Sequence, residues 1–283
     1  MRKYGYHQSN SDHTLFLKHR KSKVTTLIVY VDDMIITGDD TEEISKLQEL
    51  LSTEFEMNNL GELKYFLGIE VARSKNGMFL SQHKYVLDLL TEVRLLECKP
   101  MDTLIVQNHR LGEYSDQVSI DKVRYQRLVG KLIYLSHTCP DIAYAVSVSS
   151  PGKGLMFSEN VHLNIEGYTN TDWAGNILDR NSTSGYFTFM GGNLVTWRSK
   201  KQKVVALSSA EVEFRDMAKG LCELLWLRSL LIEVDFPLSS TMNLLCDNKT
   251  AIDISHNPIQ HNRTKHVGVD RHFIKHNLEE KII

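Results

Sequence analysis

Two adjacent aspartates, Asp32 and Asp33, lie between two of the most apolar runs of the chain, residues 26–31 and 34–38. An apolar run, a short polar break and a second apolar run predict a strand, a tight turn and a returning strand. Carboxylates at such a turn repel each other and lose hydration, so a pair of Mg²⁺ ions engaged in phosphoryl transfer would stabilise them. An ordinary acidic hairpin turn is the alternative, because Asp is favoured in turns.

The bulk composition is that of a soluble globular protein with room for two domains. Of the 283 residues, 42% are hydrophobic and 24% are charged, which is ordinary for a folded protein. No apolar run approaches the roughly 20 residues that span a bilayer, and the first six residues lack the apolar stretch of a secretory signal. We therefore expect an intracellular protein, in the cytoplasm or nucleus, without a membrane partner.

The charge and the cysteine spacing bear on whether the chain binds nucleic acid or metal ions. A net charge of −2 argues against a strongly basic nucleic-acid-binding domain, and the basic patches at residues 18–23 and 198–203 are typical of solvated loops more often than of phosphate contacts. The cysteines form no Cys-x-x-Cys pair, which predicts buried reduced thiols. Several histidines near the C-terminus also fit no common zinc spacing: His256, His261, His266 and His272.

The exact residues of this hairpin are far more specific than the pattern of two apolar runs around a pair of aspartates. Leu-Ile-Val-Tyr-Val-Asp-Asp-Met-Ile-Ile-Thr-Gly, residues 27–38, resembles the palm hairpin of reverse transcriptases, and of copia-type retrotransposons in particular. The resemblance implies that Asp32 and Asp33 bind Mg²⁺. It also implies that Tyr30 and Val31 pack near the primer terminus and the incoming nucleotide.

Further strings continue the resemblance along the N-terminal half. Asp40 can cap a helix with Glu43 three residues later, and residues 63–71 and 78–81 predict a second strand pair joined through an Asn-Gly turn. Residues 60–71 and 125–135 again resemble the copia-type polymerase. One departure is Cys139, where the family usually carries Arg.

The domain junction is predicted near residue 150. Residues 147–155 are rich in small and turn-forming side chains, which is typical of a linker, and relatives carry an extra helical segment there. We therefore assign residues 1–150 to a reverse transcriptase palm and thumb fragment. Residues 151–283 are assigned to a truncated ribonuclease H-like domain.

The C-terminal half predicts three strands, a helix, another strand and a helix. The strands are expected at residues 162–169, 184–190, 193–197 and 242–246, with a turn at Gly191-Gly192, and Ser208 or Ser209 can cap the long helix. This order resembles a ribonuclease H-like fold. The fold class is therefore mixed, α+β and α/β: a partial palm and thumb, then a mixed sheet with helices.

A second metal site follows from the same resemblance. The string Ser-Ser-Ala-Glu-Val-Glu-Phe implies Glu213 as a ligand, and Leu-Cys-Asp-Asn-Lys implies Asp247, both for the two Mg²⁺ ions of hybrid cleavage. Each has a plainer interpretation, since Glu213 could be a charge favoured by the helix dipole and Asp247 a helix cap.

The first ligand of that site departs from the family. Where relatives have a metal-bridging Asp, this chain has Asn170, whose neutral amide cannot offset two adjacent cations. Asp172 lies about 6–7 Å further along the same strand face, too far to replace it. The family's last ligand lies beyond Ile283, and Gly268 stands where relatives usually have an acidic residue.

The polymerase centre is also incomplete in this sequence. Its third Asp is expected on a strand before the start of this chain, and Asp12 lies in a polar turn instead. We therefore identify a fragment of a copia-type Pol polyprotein and expect neither RNA-directed DNA synthesis nor hybrid cleavage from it. The implied partners are an RNA template, a DNA primer, an RNA–DNA hybrid and the missing upstream polymerase half.

Two other hypotheses stay open at this point. One is a catalytically dead nucleic-acid-binding module that keeps a hybrid-binding groove. The other is a degenerate product without a stable fold, because the palm sheet lacks its partner strands.

Overall fold

The computed structural model describes residues 1–99, 121–136, 138, 154–175, 180–202, 205–206, 208–256 and 268–283. The chain divides into two compact units, the first formed by Met1–Phe66 with Cys222–Thr241 and the second by Leu67–Leu221 with Met242–Ile283. The predicted junction near residue 150 lies outside the described residues. Among the described helices, none combines the length and the apolar character that crossing a bilayer requires.

The first unit contains an antiparallel sheet of order β1-β2-β3-β4. The predicted hairpin is confirmed as β3 and β4, with Tyr30 opposite Asp33. The four strands, after a short 3₁₀ turn at Arg2–Tyr4, are β1 (His7–Gln8), β2 (Leu15–Arg20), β3 (Lys23–Tyr30) and β4 (Asp33–Gly38).

Strand β2 was not expected from the sequence. It pairs with the other side of β3, so the expectation that the palm hairpin lacks partner strands is wrong for this chain. Lys21 and Ser22 form the turn between β2 and β3, with φ of 51° and 62° in the left-handed region. The basic patch at residues 18–23 is therefore a paired hairpin end.

Helix α1 (Thr41–Phe55) begins as the sequence predicts. The Asp40 side chain accepts a hydrogen bond from the Glu43 amide at 3.2 Å, which satisfies one of the first unpaired N–H groups of the helix. Leu47 and Leu51 are buried and join Tyr6 and Leu27 in the core of the first unit. Phe55, predicted on the same apolar face, is the last helical residue and is 55% exposed.

The second predicted strand pair is also present, with one interruption. β6 (Ile69–Ser74) and β7 (Gly77–Ser81) form an antiparallel hairpin around Lys75 and Asn76. The strand expected over residues 63–71 is broken at Leu67 and Gly68, whose φ values are 49° and 79°. The short strand β5 (Tyr65–Phe66) precedes this break.

Other elements of the second unit surround this hairpin. β8 (Gly154–Ser158) pairs antiparallel with β7. α2 (His83–Glu92) and α3 (Lys122–Leu135) pack through a cluster of buried side chains, Val86, Leu89 and Leu135.

The second unit also contains a mixed sheet of order β11-β10-β9-β12. β9 and β11 pair antiparallel with β10, whereas β12 runs parallel to β9. The predicted element order is confirmed, with the Gly191-Gly192 turn where it was expected. The elements are β9 (Ile165–Asp172), β10 (Thr183–Met190), β11 (Asn193–Lys201), α4 (Ser209–Glu233), β12 (Asn243–Cys246), α5 (Lys249–His256) and α6 (Gly268–Glu279).

A glycine allows α4 to approach this sheet closely. A Cβ atom at Gly220 would lie 2.6 Å from Thr169 Cγ2 on β9 and 3.3 Å from Leu244 Cδ1 on β12. Residues of β9 alternate between buried and exposed, with Thr169 and Thr171 on the buried face. The middle of α4 therefore packs closely against β9 and β12.

Candidate functional site

The paired aspartates lie at an exposed hairpin tip. Val31 and Asp32 form the turn between β3 and β4, and both Asp32 and Asp33 are exposed, so the expected loss of hydration is not found. A cavity of about 350 Å³ opens beside them and is also lined by residues 57–66. Tyr30 is 49% exposed at the same tip.

The backbone of the tip is strained at Val31. Its φ is 50°, in the left-handed region that β-branched residues rarely adopt. Such a conformation costs about 1–3 kcal/mol and persists only where the surrounding structure enforces it. The strands on either side impose it here, because Tyr30 and Asp33 pair directly across a two-residue turn.

No third metal-ligating side chain joins Asp32 and Asp33 in the part of the chain that the structure describes. Asp12 lies in a polar turn, as expected, where its carboxylate accepts hydrogen bonds from the Thr14 amide and hydroxyl at 2.8 Å. The two aspartates supply oxygen ligands of the kind that Mg²⁺ prefers, but only two of them.

A second group of ligands converges in the mixed sheet of the second unit. Ligand atoms of Glu213, Cys246 and Asp247 all lie within 4.8 Å of one another. Glu213 comes from the start of α4, Cys246 is the last residue of β12, and Asp247 follows it. Cys246 pairs with Thr169, so the end of β12 lies beside β9. Glu213 contacts the same strand through the Thr171 amide. The structure thus brings together Glu213 and Asp247, which were predicted 34 residues apart in sequence.

Glu213 is buried and held on both carboxylate oxygens. It is 5% exposed; Oε1 accepts a hydrogen bond from the Thr171 amide at 3.1 Å, and Oε2 accepts one from the Cys246 thiol at 3.9 Å. Burial raises the pKa of Glu213 to about 7, with the negative charges of Asp247 and Asp216 acting in the same direction. Burial also raises the pKa of the Cys246 thiol.

The plainer interpretations of these carboxylates do not match their surroundings. Ser208 accepts a hydrogen bond from the Glu211 amide and so caps α4, while Glu213 points into a buried site. The side chain that caps α5 is Asn248, whose Oδ1 accepts a hydrogen bond from the Ala251 amide at 3.1 Å. Asp247 is exposed at the rim of the ligand group.

Asn170 and Asp172 lie on the exposed face of β9. The Asp172 carboxylate accepts a hydrogen bond from the Thr183 amide at the start of β10. Asp172 does not belong to the group formed by Glu213, Cys246 and Asp247 within the described residues.

The sequence did not predict two further residues of this region. Asp216 is 1% exposed one turn after Glu213, and its carboxylate lies 3.8 Å from Lys219 Nζ. Burial raises the pKa of Asp216 to about 6, which Lys219 partly opposes. The three-residue spacing of residues 213, 216 and 219 on a helix was the available signal.

Cys246 is the other missed residue, and its position directly before Asp247 was the signal. The thiols were expected to be buried and reduced. Of the described cysteines, Cys98 and Cys222 are exposed and Cys246 is only partly buried, so the expectation of burial is wrong for the first two. Of the four histidines, His256 and His272 are described and neither belongs to a metal-ligand group there, while His261 and His266 lie outside the described residues.

The donor atoms do not fit a pair of Mg²⁺ ions. Mg²⁺ requires an octahedral shell of oxygen ligands, and two adjacent ions need several carboxylates for charge balance. Glu213 and Asp247 supply two carboxylates, the third converging ligand is a thiol, and Asn170 is neutral.

Known proteins are similar to this chain over nearly its whole length. A family model described as reverse transcriptase (RNA-dependent DNA polymerase) matches residues 1–107. The retrovirus-related Pol polyprotein from transposon RE1 of Arabidopsis thaliana is 35% identical over 97% of this chain and 20% of its own length. That from transposon TNT 1-94 of Nicotiana tabacum is 33% identical over 99% of this chain and 24% of its own length.

A shorter relative is matched almost completely. An uncharacterized mitochondrial protein of Arabidopsis thaliana is 34% identical over 71% of this chain and 93% of its own length. No solved structure matches. The chain spans about a fifth of the RE1 polyprotein. It belongs to the family of Pol polyproteins of copia-type retrotransposons and includes a reverse transcriptase-like part.

Proposed function

We propose that this chain combines a reverse transcriptase palm hairpin with a ribonuclease H-like module that binds RNA–DNA hybrids without cleaving them. In this proposal the residues up to about 150 are the palm and thumb fragment, and the rest form the module. The relatives' polymerase and nuclease chemistry would need two Mg²⁺ ions at each centre.

The main support for this proposal is the group of candidate metal ligands at the end of β12. One buried carboxylate, one exposed carboxylate and a thiol converge there, and the neutral Asn170 stands where the resemblance expects a bridging carboxylate. Two-metal hydrolysis needs negative charge between the cations, and an amide supplies none. The order of the mixed sheet, with β12 parallel to β9, supports a ribonuclease H-like assignment.

Basic side chains on α4 and β11 of the same unit support hybrid binding. Lys219 on α4 has its pKa lowered by burial, with the positive charges of Arg198 and Arg215 contributing in the same direction. Arg198 and Lys200 are both exposed on the same face of β11. Cations close to one another are stabilised by a polyanion, so this surface suits a nucleic-acid backbone.

Fluorescence anisotropy with a labelled RNA–DNA hybrid tests the binding. We expect salt-dependent binding, and we expect Arg198→Ala with Lys200→Ala to weaken it and to reduce the salt slope by about two. Lys84→Ala is the matched control, because Lys84 is an exposed lysine in an ion pair with Asp88 on α2. Absence of binding at low salt would overturn the proposal.

A primer-extension assay on an RNA template tests the polymerase centre. We expect no extension by this chain with Mg²⁺, because Asp32 and Asp33 are exposed with no third carboxylate beside them in the described residues. Extension that disappears with Asp33→Ala would contradict this part of the proposal.

A further inference from the structure

The two buried carboxylates of α4 differ in how their charge is balanced. Asp216 lies 3.8 Å from Lys219. Glu213 is 5% exposed, and no Lys, Arg or His of the described residues lies within ion-pair distance of it. Buried carboxylates are normally paired with a cation or bound to a metal. In the described part of the chain, Glu213 therefore has no cationic side chain to balance its charged form.

The side chains that face Glu213 are of the types that can bind metal ions. The Cys246 thiol donates to Glu213 Oε2 at 3.9 Å, and Asp247 completes a group with all ligand atoms within 4.8 Å. Around a tetrahedral zinc ion, neighbouring sulfur and oxygen ligands lie about 3.5 Å apart. A contraction of about 1 Å reaches that geometry. Asp247 is exposed and can supply the movement.

The donor chemistry selects the ion. Mg²⁺ takes oxygen ligands, whereas a thiolate favours zinc and other soft divalent cations. We infer that Glu213, Cys246 and Asp247 bind one thiophilic divalent cation of the zinc class in preference to Mg²⁺. Asp247 leaves the group open to solvent, so a water molecule can be the fourth ligand.

Binding exchanges a proton for the metal and transfers no electrons. The Cys246 proton passes to solvent as the thiolate coordinates the cation. This inference rests on the proposed function only in that both concern the same end of the mixed sheet. Metal binding is measured without nucleic acid, so a failure of hybrid binding leaves the inference standing, and the reverse also holds.

Titration of the metal-free full chain with Co²⁺ and Zn²⁺ tests the inference. We expect one Co²⁺ per chain with a near-ultraviolet thiolate-to-metal absorption band, displaced by Zn²⁺ but not by a large excess of Mg²⁺. Cys246→Ser should abolish the band and weaken Zn²⁺ binding at least about tenfold. The matched control Cys98→Ser changes a free, exposed thiol and should leave both unchanged. An unchanged band in Cys246→Ser, or displacement of the metal by comparable Mg²⁺, would overturn the inference.

Alkylation of the unmodified chain gives a readout that does not depend on a folded variant. Zn²⁺ should slow iodoacetamide labelling of Cys246, followed by mass spectrometry, at least about tenfold, because a coordinated thiolate is shielded. Cys98 in the same sample should be labelled at the same rate with and without Zn²⁺. Equal labelling of Cys246 in both samples would also refute the zinc site.

Discussion

Glu213 and Asp216 lie one turn apart on α4 and are both buried, yet within the described residues only Asp216 has a lysine partner, Lys219 at 3.8 Å. Helical spacing places both carboxylates toward β9, where Glu213 accepts a hydrogen bond from the Thr171 amide. The lysine offsets one of the two negative charges. The negative charge of Glu213 is instead neutralised by a proton or balanced by a bound cation.

Asp216 should make the chain less stable at neutral pH than in mild acid. Burial raises the pKa of Asp216 from 3.8 to about 6 in the folded state, so the folded protein holds this proton more tightly than the unfolded chain. The associated stability is complete below pH about 4 and is lost as the pH rises to about 6, with an effect of about 2–3 kcal/mol.

The variant Asp216→Asn isolates that contribution. Relative to the parent, it should gain about 2–3 kcal/mol at pH 8 and close to nothing at about pH 4 in urea unfolding. Asp88→Asn is the control, since Asp88 and its partner Lys84 are both exposed. An Asn variant less stable than the parent at both pH values would show that Asp216 is stabilised as a charged group.

Lys18 should contribute more to stability than an ordinary surface lysine. Its Nζ donates to buried Glu43 at 2.7 Å, and the two side chains are 20% and 4% exposed. Among the described residues, Lys18→Met would leave the Glu43 carboxylate with the weaker contacts from Tyr6 and Arg20, so we expect a loss of about 2–4 kcal/mol.

Two further variants test the Lys18 prediction when the free energies of unfolding are measured by chemical denaturation. Lys3→Met removes an exposed ion pair with Glu54 and should cost less than about 1 kcal/mol. Lys18→Met combined with Glu43→Met should cost less than Lys18→Met alone, because no buried charge is left unpaired. Equal losses from Lys3→Met and Lys18→Met would contradict the buried character of the Lys18 pair.

Relief of the strain at Val31 should stabilise the first unit. Asn adopts the left-handed region far more readily than a β-branched residue, so Val31→Asn at φ 50° should gain about 1 kcal/mol. Val24→Asn, at the second residue of β3, should instead lose stability because strands favour Val over Asn. The melting temperatures of both variants test this, and a lower value for Val31→Asn would show that the turn tolerates its valine without strain.

Gly220 should be intolerant of any side chain. A Cβ atom there would lie 2.6 Å from Thr169 Cγ2, so Gly220→Ala should cost about 1–3 kcal/mol through overpacking. The control Gly130→Ala, on α3 with open space around it, should gain about 1 kcal/mol from helix propensity. Thermal unfolding of the two variants should therefore shift in opposite directions; a gain in both would mean that α4 does not pack as closely on β9 and β12 as described.

The sequence predicted the elements that depend on neighbouring residues, such as apolar runs and helix caps. The apolar runs around Asp32 and Asp33 predicted β3 and β4, and Asp40 with Glu43 predicted the start of α1. β2 was missed because its basic residues hide the alternation, and the break at Leu67 and Gly68 requires left-handed backbone that Leu seldom adopts.

The composition of the candidate site could be predicted only in part. Motif resemblance indicated Glu213 and Asp247, which the structure brings together. Cys246 and Asp216 were not predicted as parts of the site, because their proximity depends on how α4 and β12 align across β9. Sequence spacing carries the periodicity of each element but not that alignment.

The most direct measurement is single-turnover hydrolysis of a labelled RNA–DNA hybrid in Mg²⁺ with the chain in excess. We expect the hybrid to be bound and to remain uncut, because Glu213, Cys246, Asp247 and Asn170 do not supply the oxygen ligands and charge for two Mg²⁺ ions. Cleavage that appears with Mg²⁺ and disappears with Asp247→Asn would contradict it.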